Sequence, residues 1–163
     1  MNHSHRIKNF HANFSVITCS STRTSENDDS GKGIISAIER AGHRVVNYEV
    51  INDDVETIRG TVDAFIKSSD AIIITGGTGI TKRDVTIEAV RGIAEYEMTG
   101  FSTVFSIISF RDIGTSAIMS RSTAFIVKRK PVFCLPGSVS GALLAVESII
   151  LEQIDHIHHE LQR

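Results

Sequence analysis

The first half of the chain alternates short apolar runs with segments of helical periodicity. The apolar runs span residues 14–19, 45–50 and 71–74, and the last is β-branched from Ile72 on, as in a strand buried on both faces. Two amphipathic helical faces lie between these runs: Ile34, Ile35, Ile38 and Ala41 form one, and Val55, Ile58, Val62, Phe65 and Ile66 form the other. The order strand, helix, strand, helix, strand predicts a parallel sheet with right-handed crossovers.

The second half of the chain has a less regular pattern. Residues 100–110 have the β-branched content of a strand, but the spacing of Phe101, Phe105 and Ile108 also fits a helix, and periodicity leaves both possibilities open. Residues 123–127 and 132–135 flank a Lys-Arg-Lys-Pro segment, which predicts a hairpin-like return. An apolar stripe that ends near Leu161 predicts a final helix.

A glycine-rich loop follows the third predicted strand. It reads Thr75-Gly76-Gly77-Thr78-Gly79, and helix-forming residues follow Asp84. Glycine allows the backbone to approach a ligand closely, and a strand, a glycine loop and a helix start in this order typically bind an anion. The spacing matches neither the Walker pattern nor G-x-G-x-x-G, which would require glycine where Lys82 stands. The loop therefore predicts an anion site of unspecified type, with a plain tight turn as the alternative.

Two aspartates follow predicted strands at the same edge of the sheet. Asp53 and Asp84 each lie just before or at the start of a predicted helix. Because the carboxyl ends of parallel strands lie along one edge, these two distant residues are expected to share a cleft. A pair of carboxylates beside a phosphate-binding loop suits Mg²⁺. The alternative is that each aspartate serves only as a helix N-cap.

Other polar residues could contact the same ligand. Ser120, Arg121 and the turn Pro136-Gly137-Ser138 offer hydroxyl, guanidinium and backbone N–H donors to phosphate oxygens. The alternative is that they serve only in capping and surface solvation. The histidines near the two ends are expected to be solvated rather than metal-bound: they are His3, His5, His11, His156, His158 and His159. Cys19 and Cys134 share no metal-ligand spacing and are expected to be buried thiols.

Length and composition indicate one globular domain. The chain has 163 residues, of which 41% are hydrophobic and 22% charged. A net charge of −2 gives no basic field for nucleic acid or anionic lipid. No run approaches the roughly 18 apolar residues of a membrane span, and the amino terminus lacks the apolar core of a signal peptide. We therefore expect a cytoplasmic protein that binds neither nucleic acid nor membranes, with a flexible arm over residues 1–13 and a single domain over 14–163.

Five motifs, in order along the chain, resemble the signature of the MoaB/MogA family of molybdenum cofactor biosynthesis, and the region around residues 113–121 is closer to MoaB than to MogA. They are Thr75-Gly76-Gly77-Thr78-Gly79 with Arg83-Asp84-Val85-Thr86, Glu97-Met98-x-Gly100-Phe101, Ile113-Gly114-Thr115-Ser116, Ser120-Arg121 and Leu135-Pro136-Gly137-Ser138. The sequence departs from the family at Asn52, Ile87 and Thr99, where proline is frequent. Such losses should loosen the loop rather than remove a reacting group.

The resemblance implies a three-layer α/β/α sandwich with a mostly parallel sheet, assembled as a trimer or a dimer of trimers. It also implies Mg²⁺-dependent transfer of AMP from ATP to the terminal phosphate of molybdopterin, with release of pyrophosphate. The family's functional aspartates correspond to Asp53 and Asp84. The candidate binding residues are Thr75, Gly76, Gly77, Thr78, Gly79, Ser120, Arg121, Pro136, Gly137 and Ser138.

Three functional alternatives remain at this stage. The first is molybdopterin adenylylation, and the second is a non-catalytic molybdopterin-binding or carrier protein of the same fold. The third is a relative that inserts molybdate or hydrolyses nucleotide-sugar pyrophosphates. The insertion enzymes are longer chains and the hydrolase-type domains depart from Gly-Gly-Thr-Gly, which disfavours the third alternative. The sequence does not decide whether the finished cofactor carries molybdenum or tungsten, or whether the protein is a trimer or a hexamer.

Overall fold

The computed structural model describes residues 10–163. Residues 1–9, with His3, His5 and most of the expected flexible arm, lie outside the described residues. Within the rest of that arm, Ala12 is fully buried and Asn13 is the first residue of a strand. Ordered packing therefore begins before residue 14, where the sequence places the start of the domain.

Strands and helices alternate along most of the described chain. In order, the elements are β1 (Asn13–Cys19), α1 (Asp29–Arg40), β2 (Arg44–Ile51), α2 (Val55–Phe65), β3 (Ala71–Thr75), α3 (Thr86–Arg91), β4 (Tyr96–Glu97), α4 (Thr99–Ile113), a 3₁₀ helix (Gly114–Met119), β5 (Thr123–Val127), β6 (Lys130–Leu135), α5 (Val139–Ala145), a π-helical turn (Val146–Ile150) and α6 (Leu151–Gln162). The open choice for residues 100–110 is settled as a helix, because Phe101, Phe105 and Ser109 form one buried face four residues apart.

The strands form one mixed sheet in the order β2-β1-β3-β6-β5-β4. The first four strands in this order run parallel. At one edge of the sheet, β5 pairs antiparallel with β6, and β4 pairs antiparallel with β5. The predicted hairpin is present, with Val127 paired to Lys130 across the turn between β5 and β6. The predicted α/β class with a mostly parallel sheet is therefore confirmed.

Helices cover both faces of the sheet and enclose two apolar cores. Residues alternate along β3, so that Ala71 and Ile73 pack under α1, α4, α5 and α6, whereas Ile72 and Ile74 pack under α2 and α3. This arrangement is the three-layer sandwich that the resemblance implies. Within residues 10–163, no helix combines the length and the apolarity needed to cross a membrane.

A buried carboxylate joins β1 and β2 to the start of α1. Asp28 is fully buried, and its Oδ2 accepts hydrogen bonds from Thr18 Oγ1 at 2.6 Å and Tyr48 OH at 2.7 Å. Its Oδ1 accepts a hydrogen bond from the Gly31 N–H at 3.0 Å, which caps α1, and lies 3.8 Å from Arg23 Nη1. Burial alone would raise the pKa of Asp28, but these hydrogen bonds and the charge of Arg23 lower it overall. The buried group is therefore ionised at neutral pH.

We expect Asp28→Ala to lower the free energy of unfolding by about 3 kcal/mol or more, because three donors, two of them buried, lose their acceptor. Asp28→Asn, which keeps one acceptor oxygen, should cost about 1–2 kcal/mol. The control is Asp29→Asn, because Asp29 is the exposed neighbour in the first turn of α1 and should contribute less than about 1 kcal/mol. Urea unfolding at pH 7 measures all three values.

The pH dependence gives a second check on the same carboxylate. Because its folded-state pKa is below the ordinary value, Asp28 stabilises the fold above that value, and this contribution disappears as the pH falls through the folded-state pKa. The stability difference between the wild type and Asp28→Asn should therefore shrink in acid. An unchanged difference down to pH values near 2 would contradict the assignment of an ionised Asp28.

Candidate functional site

A cleft opens at the carboxyl edge of the four parallel strands, where the loops after β1, β2, β3 and β6 meet. It has two lobes. The polar lobe has a volume of about 390 Å³, and its walls include Ser20 to Arg23, Asp53 and Arg83. The mixed lobe has a volume of about 360 Å³, and its walls include Ser109, Ile113, Ser116, Met119 and Ser120. Both volumes are in the range of small-molecule sites.

The two lobes share one border, which is formed by the glycine loop and the turn after β6. Gly77, Asp84, Gly137 and Ser138 contribute to both lobes. Four of the residues that the sequence selects as candidates therefore lie between the two halves of one cleft.

The first glycine of the loop allows three strands to converge. Gly76 has a φ of +97°, and a Cβ atom at this position would lie 2.3 Å from the Cys19 carbonyl oxygen. Its N–H donates a hydrogen bond to the Leu135 carbonyl at 3.1 Å. The end of β3 thus contacts the ends of β1 and β6 directly, and only glycine fits both the conformation and the space.

The second glycine places the loop against Asp53. Gly77 has a φ of +66°, and a Cβ atom there would lie 2.3 Å from Thr86 Oγ1 and 3.2 Å from Asp53 Oδ1. Thr86 fixes this turn, because its hydroxyl donates to the Gly76 carbonyl at 2.9 Å and its N–H donates to the Gly77 carbonyl at 3.0 Å. The carboxylate of Asp53 therefore lies close to the backbone of the glycine loop.

Asp53 and Asp84 line the same polar lobe, and neither is a helix N-cap. The cap of α2 is Asp54, whose Oδ2 accepts a hydrogen bond from the Thr57 N–H at 2.8 Å. The cap position of α3 is Val85, which makes no side-chain capping bond. Asp84 Oδ2 instead accepts hydrogen bonds from the Thr81 N–H at 2.9 Å and from its hydroxyl at 2.6 Å. The capping alternative is thereby removed for both residues.

The two carboxylates have opposite pKa shifts. Burial, together with the negative charge of Asp84, raises the pKa of Asp53, and a hydrogen bond from the Ser21 backbone only partly offsets this effect. Burial would also raise the pKa of Asp84, but hydrogen bonds from Thr81 and the Gly79 backbone, aided by the charge of Arg121, lower it overall. Asp84 is the more firmly ionised of the two, and Asp53 experiences the repulsion between them.

This pair fits the requirements of Mg²⁺ better than those of a metal held entirely by protein. Among the described residues, no group of three or more His, Cys, Asp or Glu side chains is arranged to hold a metal ion. Mg²⁺ is commonly bound by only one or two carboxylates, with waters and substrate phosphates completing its ligands. A cation between Asp53 and Asp84 would also relieve the repulsion that raises the pKa of Asp53.

Two of the candidate binding residues have mainly structural contacts. Thr75 is fully buried beneath the cleft, where its hydroxyl donates to the Pro136 carbonyl at 2.7 Å and contacts Ser30 Oγ at 3.0 Å. Thr78 borders the mixed lobe, but its hydroxyl is 3.2 Å from the Leu135 carbonyl. The Thr75 side chain therefore ties β3 to the turn after β6 and is not exposed to the cleft, and its assignment as a binding residue stays a prediction.

Arg121 is engaged by the glycine loop and by α3. Its Nε donates to the Gly79 carbonyl at 2.7 Å, its Nη2 donates to the Asp84 carbonyl at 2.9 Å, and its Nη1 pairs with Glu88. These contacts hold the backbone on both sides of residues 80–83. The predicted phosphate contact of Arg121 stays a prediction, and the structure adds a role in positioning Asp84. Ser120 lines the mixed lobe with its hydroxyl 2.7 Å from Ser122 Oγ.

Two walls of the cleft come from residues to which the sequence alone assigns no role. The loop after β1, with Arg23, forms one side of the polar lobe. Ile113 and Met119, at the end of α4 and in the 3₁₀ helix, form part of the mixed lobe. Like Asp53 and Asp84, the loop after β1 directly follows a parallel strand, so its position at this edge of the sheet could be predicted from the sequence. The apolar wall comes directly after residues 100–110, and the periodicity of that segment does not decide between a helix and a strand, so this wall could not be predicted.

Two of the described histidines, His11 and His158, contact other parts of the chain, and both cysteines are buried. The His158 ring stacks on Phe10 with centroids 4.5 Å apart, and His11 Nδ1 is 2.6 Å from the Gly42 carbonyl. Cys19 and Cys134 are buried free thiols, as expected, and burial raises the pKa of Cys19 to about 12.

We expect Asp53→Asn to raise the melting temperature at pH 7 by about 1–4 °C, since the variant removes a destabilising negative charge. The folded-state pKa of Asp53 exceeds its ordinary value of 3.8, so ionisation costs stability above the folded-state pKa, and this cost vanishes as the pH falls below the ordinary value. The gain should therefore disappear near pH 3.5. The matched control, Asp54→Ala, removes a helix cap and should lower the melting temperature. A lower melting temperature for Asp53→Asn at pH 7 would contradict the repulsion.

Known proteins resemble this chain over nearly its whole length. A molybdenum cofactor biosynthesis protein B from Bacillus cereus is 44% identical over 151 residues, which cover 91% of this chain and 89% of that protein. A crystal structure of a molybdenum cofactor biosynthesis protein B superposes with a TM-score of 0.91 at 42% identity, over 94% of this chain and 98% of that chain.

A second similar structure is that of a protein named for tungsten cofactor synthesis. The tungsten cofactor synthesizing protein MoaB from Pyrococcus furiosus superposes with a TM-score of 0.83 at 32% identity, over 94% of this chain and 98% of that chain. A family model described as a probable molybdopterin binding domain matches residues 15–156, a span that includes every candidate site residue. The chain therefore belongs to the MoaB/MogA family of molybdopterin-binding-type domains.

Proposed function

We propose that this protein acts in molybdenum or tungsten cofactor biosynthesis as a molybdopterin adenylyltransferase. The observation that carries the proposal is the convergence of Asp53 and Asp84 beside the glycine loop in one two-lobed cleft. The names of the relatives support the pathway, and they include both metals. The polar lobe suits the phosphates of ATP, and the mixed lobe, with Ile113 and Met119, offers apolar contact to a flat ring.

The proposed reaction is a transfer of AMP between two phosphates. An oxygen of the terminal phosphate of molybdopterin attacks the α-phosphorus of ATP, the bond from this phosphorus to the bridging oxygen breaks, and pyrophosphate leaves with that oxygen. Such a transfer requires alignment and charge neutralisation more than covalent help from the protein. The border residues Gly77, Gly137 and Ser138 adjoin both lobes, which supports a role for them in aligning the two reacting phosphates.

Asp53 and Asp84 are the residues proposed to hold Mg²⁺. When bound, the ion neutralises the negative charge on the phosphates of ATP and of the leaving pyrophosphate. Thr81 and the Gly79 backbone keep Asp84 ionised and fixed in place, and Arg121 holds the carbonyls of Gly79 and of Asp84 itself. Asp53 accepts a hydrogen bond from the Ser21 backbone, which helps to orient it.

We expect Asp84→Asn to lower the rate of pyrophosphate release from ATP and molybdopterin by about 100-fold or more, because the variant removes a charge aimed at the reacting phosphates. The asparagine oxygen can still accept the hydrogen bonds from Thr81, so the variant should stay folded, with a modest decrease in melting temperature from the loss of the stabilising charge. Asp63→Asn is the matched control, because Asp63 is an exposed aspartate of α2 that pairs with Lys128 outside the cleft, and this variant should keep the wild-type rate.

The same assay separates the proposed enzyme from a carrier. Wild-type protein that binds molybdopterin but releases no pyrophosphate in the presence of ATP and Mg²⁺ would support the non-catalytic alternative. A wild-type rate in Asp84→Asn would remove this residue from the mechanism.

We also propose that the protein is a homo-oligomer whose copies meet at the outer face of α4. Val104 and Ile107 on this helix are 47% and 50% exposed, and Phe110 and Ile113, nearer its end, are also more than half exposed. The opposite face packs on the sheet through Phe101, so the helix is apolar on both sides. Such a helix is normally buried on both sides, and a second copy of this chain is the occupant that the family resemblance indicates.

Light scattering should therefore give a solution mass that is three or six times the 17.8 kDa of one chain. Ile107→Lys should shift this mass toward the monomer, because it places a charge in the apolar contact. Val46→Lys, a similar change at an exposed apolar position of β2, should leave the assembly intact. A monomeric wild type at tens of micromolar, or an Ile107→Lys variant with unchanged mass, would contradict the proposed interface.

A further inference from the structure

Arg23 occupies a position in the polar lobe that combines fixed geometry with free hydrogen-bond donors. It lies in the loop after β1, and its side chain is 35% exposed. Ser20 Oγ accepts hydrogen bonds from the N–H groups of Thr22 at 3.2 Å and of Arg23 at 3.1 Å. The Ser20 N–H in turn donates to the Ile51 carbonyl at the end of β2. The backbone that carries Arg23 is therefore held by side-chain and strand contacts.

The guanidinium is held from two sides through one nitrogen. Nη1 donates to the Gly137 carbonyl at 3.1 Å and lies 3.8 Å from Oδ1 of the buried Asp28. Asp28 itself is fixed by Thr18 and Tyr48, so the charge that attracts Arg23 cannot move. This arrangement connects Arg23 to the turn that borders both lobes.

The remaining donors of this guanidinium have no partner among the described residues. Within residues 10–163, no hydrogen bond or ion pair involves Nε or Nη2 of Arg23. Asp53 and Asp84 line the same lobe, yet neither pairs with Arg23. A planar guanidinium with two donors available is suited to bind two oxygens of one phosphate group. The lobe thus contains a fixed cation as well as two carboxylates, a combination that suits a phosphate group bound together with a metal ion.

We propose that Arg23 is a substrate-binding residue that donates hydrogen bonds from Nε and Nη2 to phosphate oxygens in the polar lobe, with Asp28 as the buried residue that positions it. The inference deepens the proposed function by adding a binding residue on the side of the cleft formed by β1. The phosphate belongs either to ATP or to molybdopterin, which present the same chemistry to the guanidinium.

Calorimetric titration with inorganic tripolyphosphate in millimolar MgCl₂ tests the contact without any turnover. The wild type should bind, and Arg23→Ala should weaken binding about tenfold or more, the effect of losing charged hydrogen bonds. Arg23→Lys keeps the charge but not the two-pronged geometry, so its affinity should be intermediate. The control is Arg40→Ala, which removes an exposed arginine at the end of α1 that pairs with Glu147. This variant should bind like the wild type. Melting temperatures verify that each variant is folded.

The outcomes distinguish this inference from the enzyme assignment. Wild-type affinity in both Arg23 variants, or no tripolyphosphate binding by the wild type, would overturn the role of Arg23 even if the protein adenylylates molybdopterin. Arg23-dependent binding without any pyrophosphate release would retain the inference and reject the enzyme. In an active protein, Arg23→Ala should raise one KM with a smaller effect on kcat. A raised KM for ATP assigns the contact to the nucleotide, and a raised KM for molybdopterin assigns it to the pterin phosphate.

Discussion

The close approach of Gly76 to the carbonyl of Cys19 is the contact on which the cleft depends. It brings the end of β3 against the end of β1, while the Gly76 N–H reaches the end of β6. Three loops from distant parts of the sequence are thereby fixed within contact of one another. The conformation requires a positive φ and leaves no room for a Cβ atom, so the geometry cannot be reached with another residue. The alignment of Asp53, Arg23 and the Gly137 turn follows from this junction.

Much of the fold could be predicted from periodicity, because strands and amphipathic helices have different repeats. β3 was recognisable as a strand buried on both faces, and a parallel sheet follows from the alternation of elements. Periodicity could not identify α4 as a helix, because α4 is apolar toward both the sheet and the exterior. It therefore lacks the polar face that marks an ordinary surface helix. The two-residue strand β4 is too short to leave any pattern.

The convergence of Asp53 and Asp84 was predictable from topology, whereas their separate environments were not. Asp53 and Asp54 are identical neighbours, and only the turn geometry determines that Asp54 caps α2 while Asp53 faces the cleft. The buried position of Thr75 depends on a contact with Pro136, sixty-one residues away. The partners of Arg121 likewise come from a different part of the chain. The environments of these side chains depend on contacts between residues far apart in the chain, so they could not be predicted from the local sequence.

Helix α4 has consequences beyond its own packing, because it is in contact with several parts of the molecule at once. Phe101 and Phe105 rest on the sheet, Ser109 and Ile113 line the mixed lobe, and Val104 lies on the outer face. Movements of 1–2 Å by a whole helix are a common form of allosteric change. Any contact that shifts α4 would alter the width of the mixed lobe, and by thermodynamic reciprocity a ligand there would alter the strength of that contact by the same factor. In the proposed oligomer, ligand binding in the mixed lobe of one copy would therefore be coupled to the contact between copies.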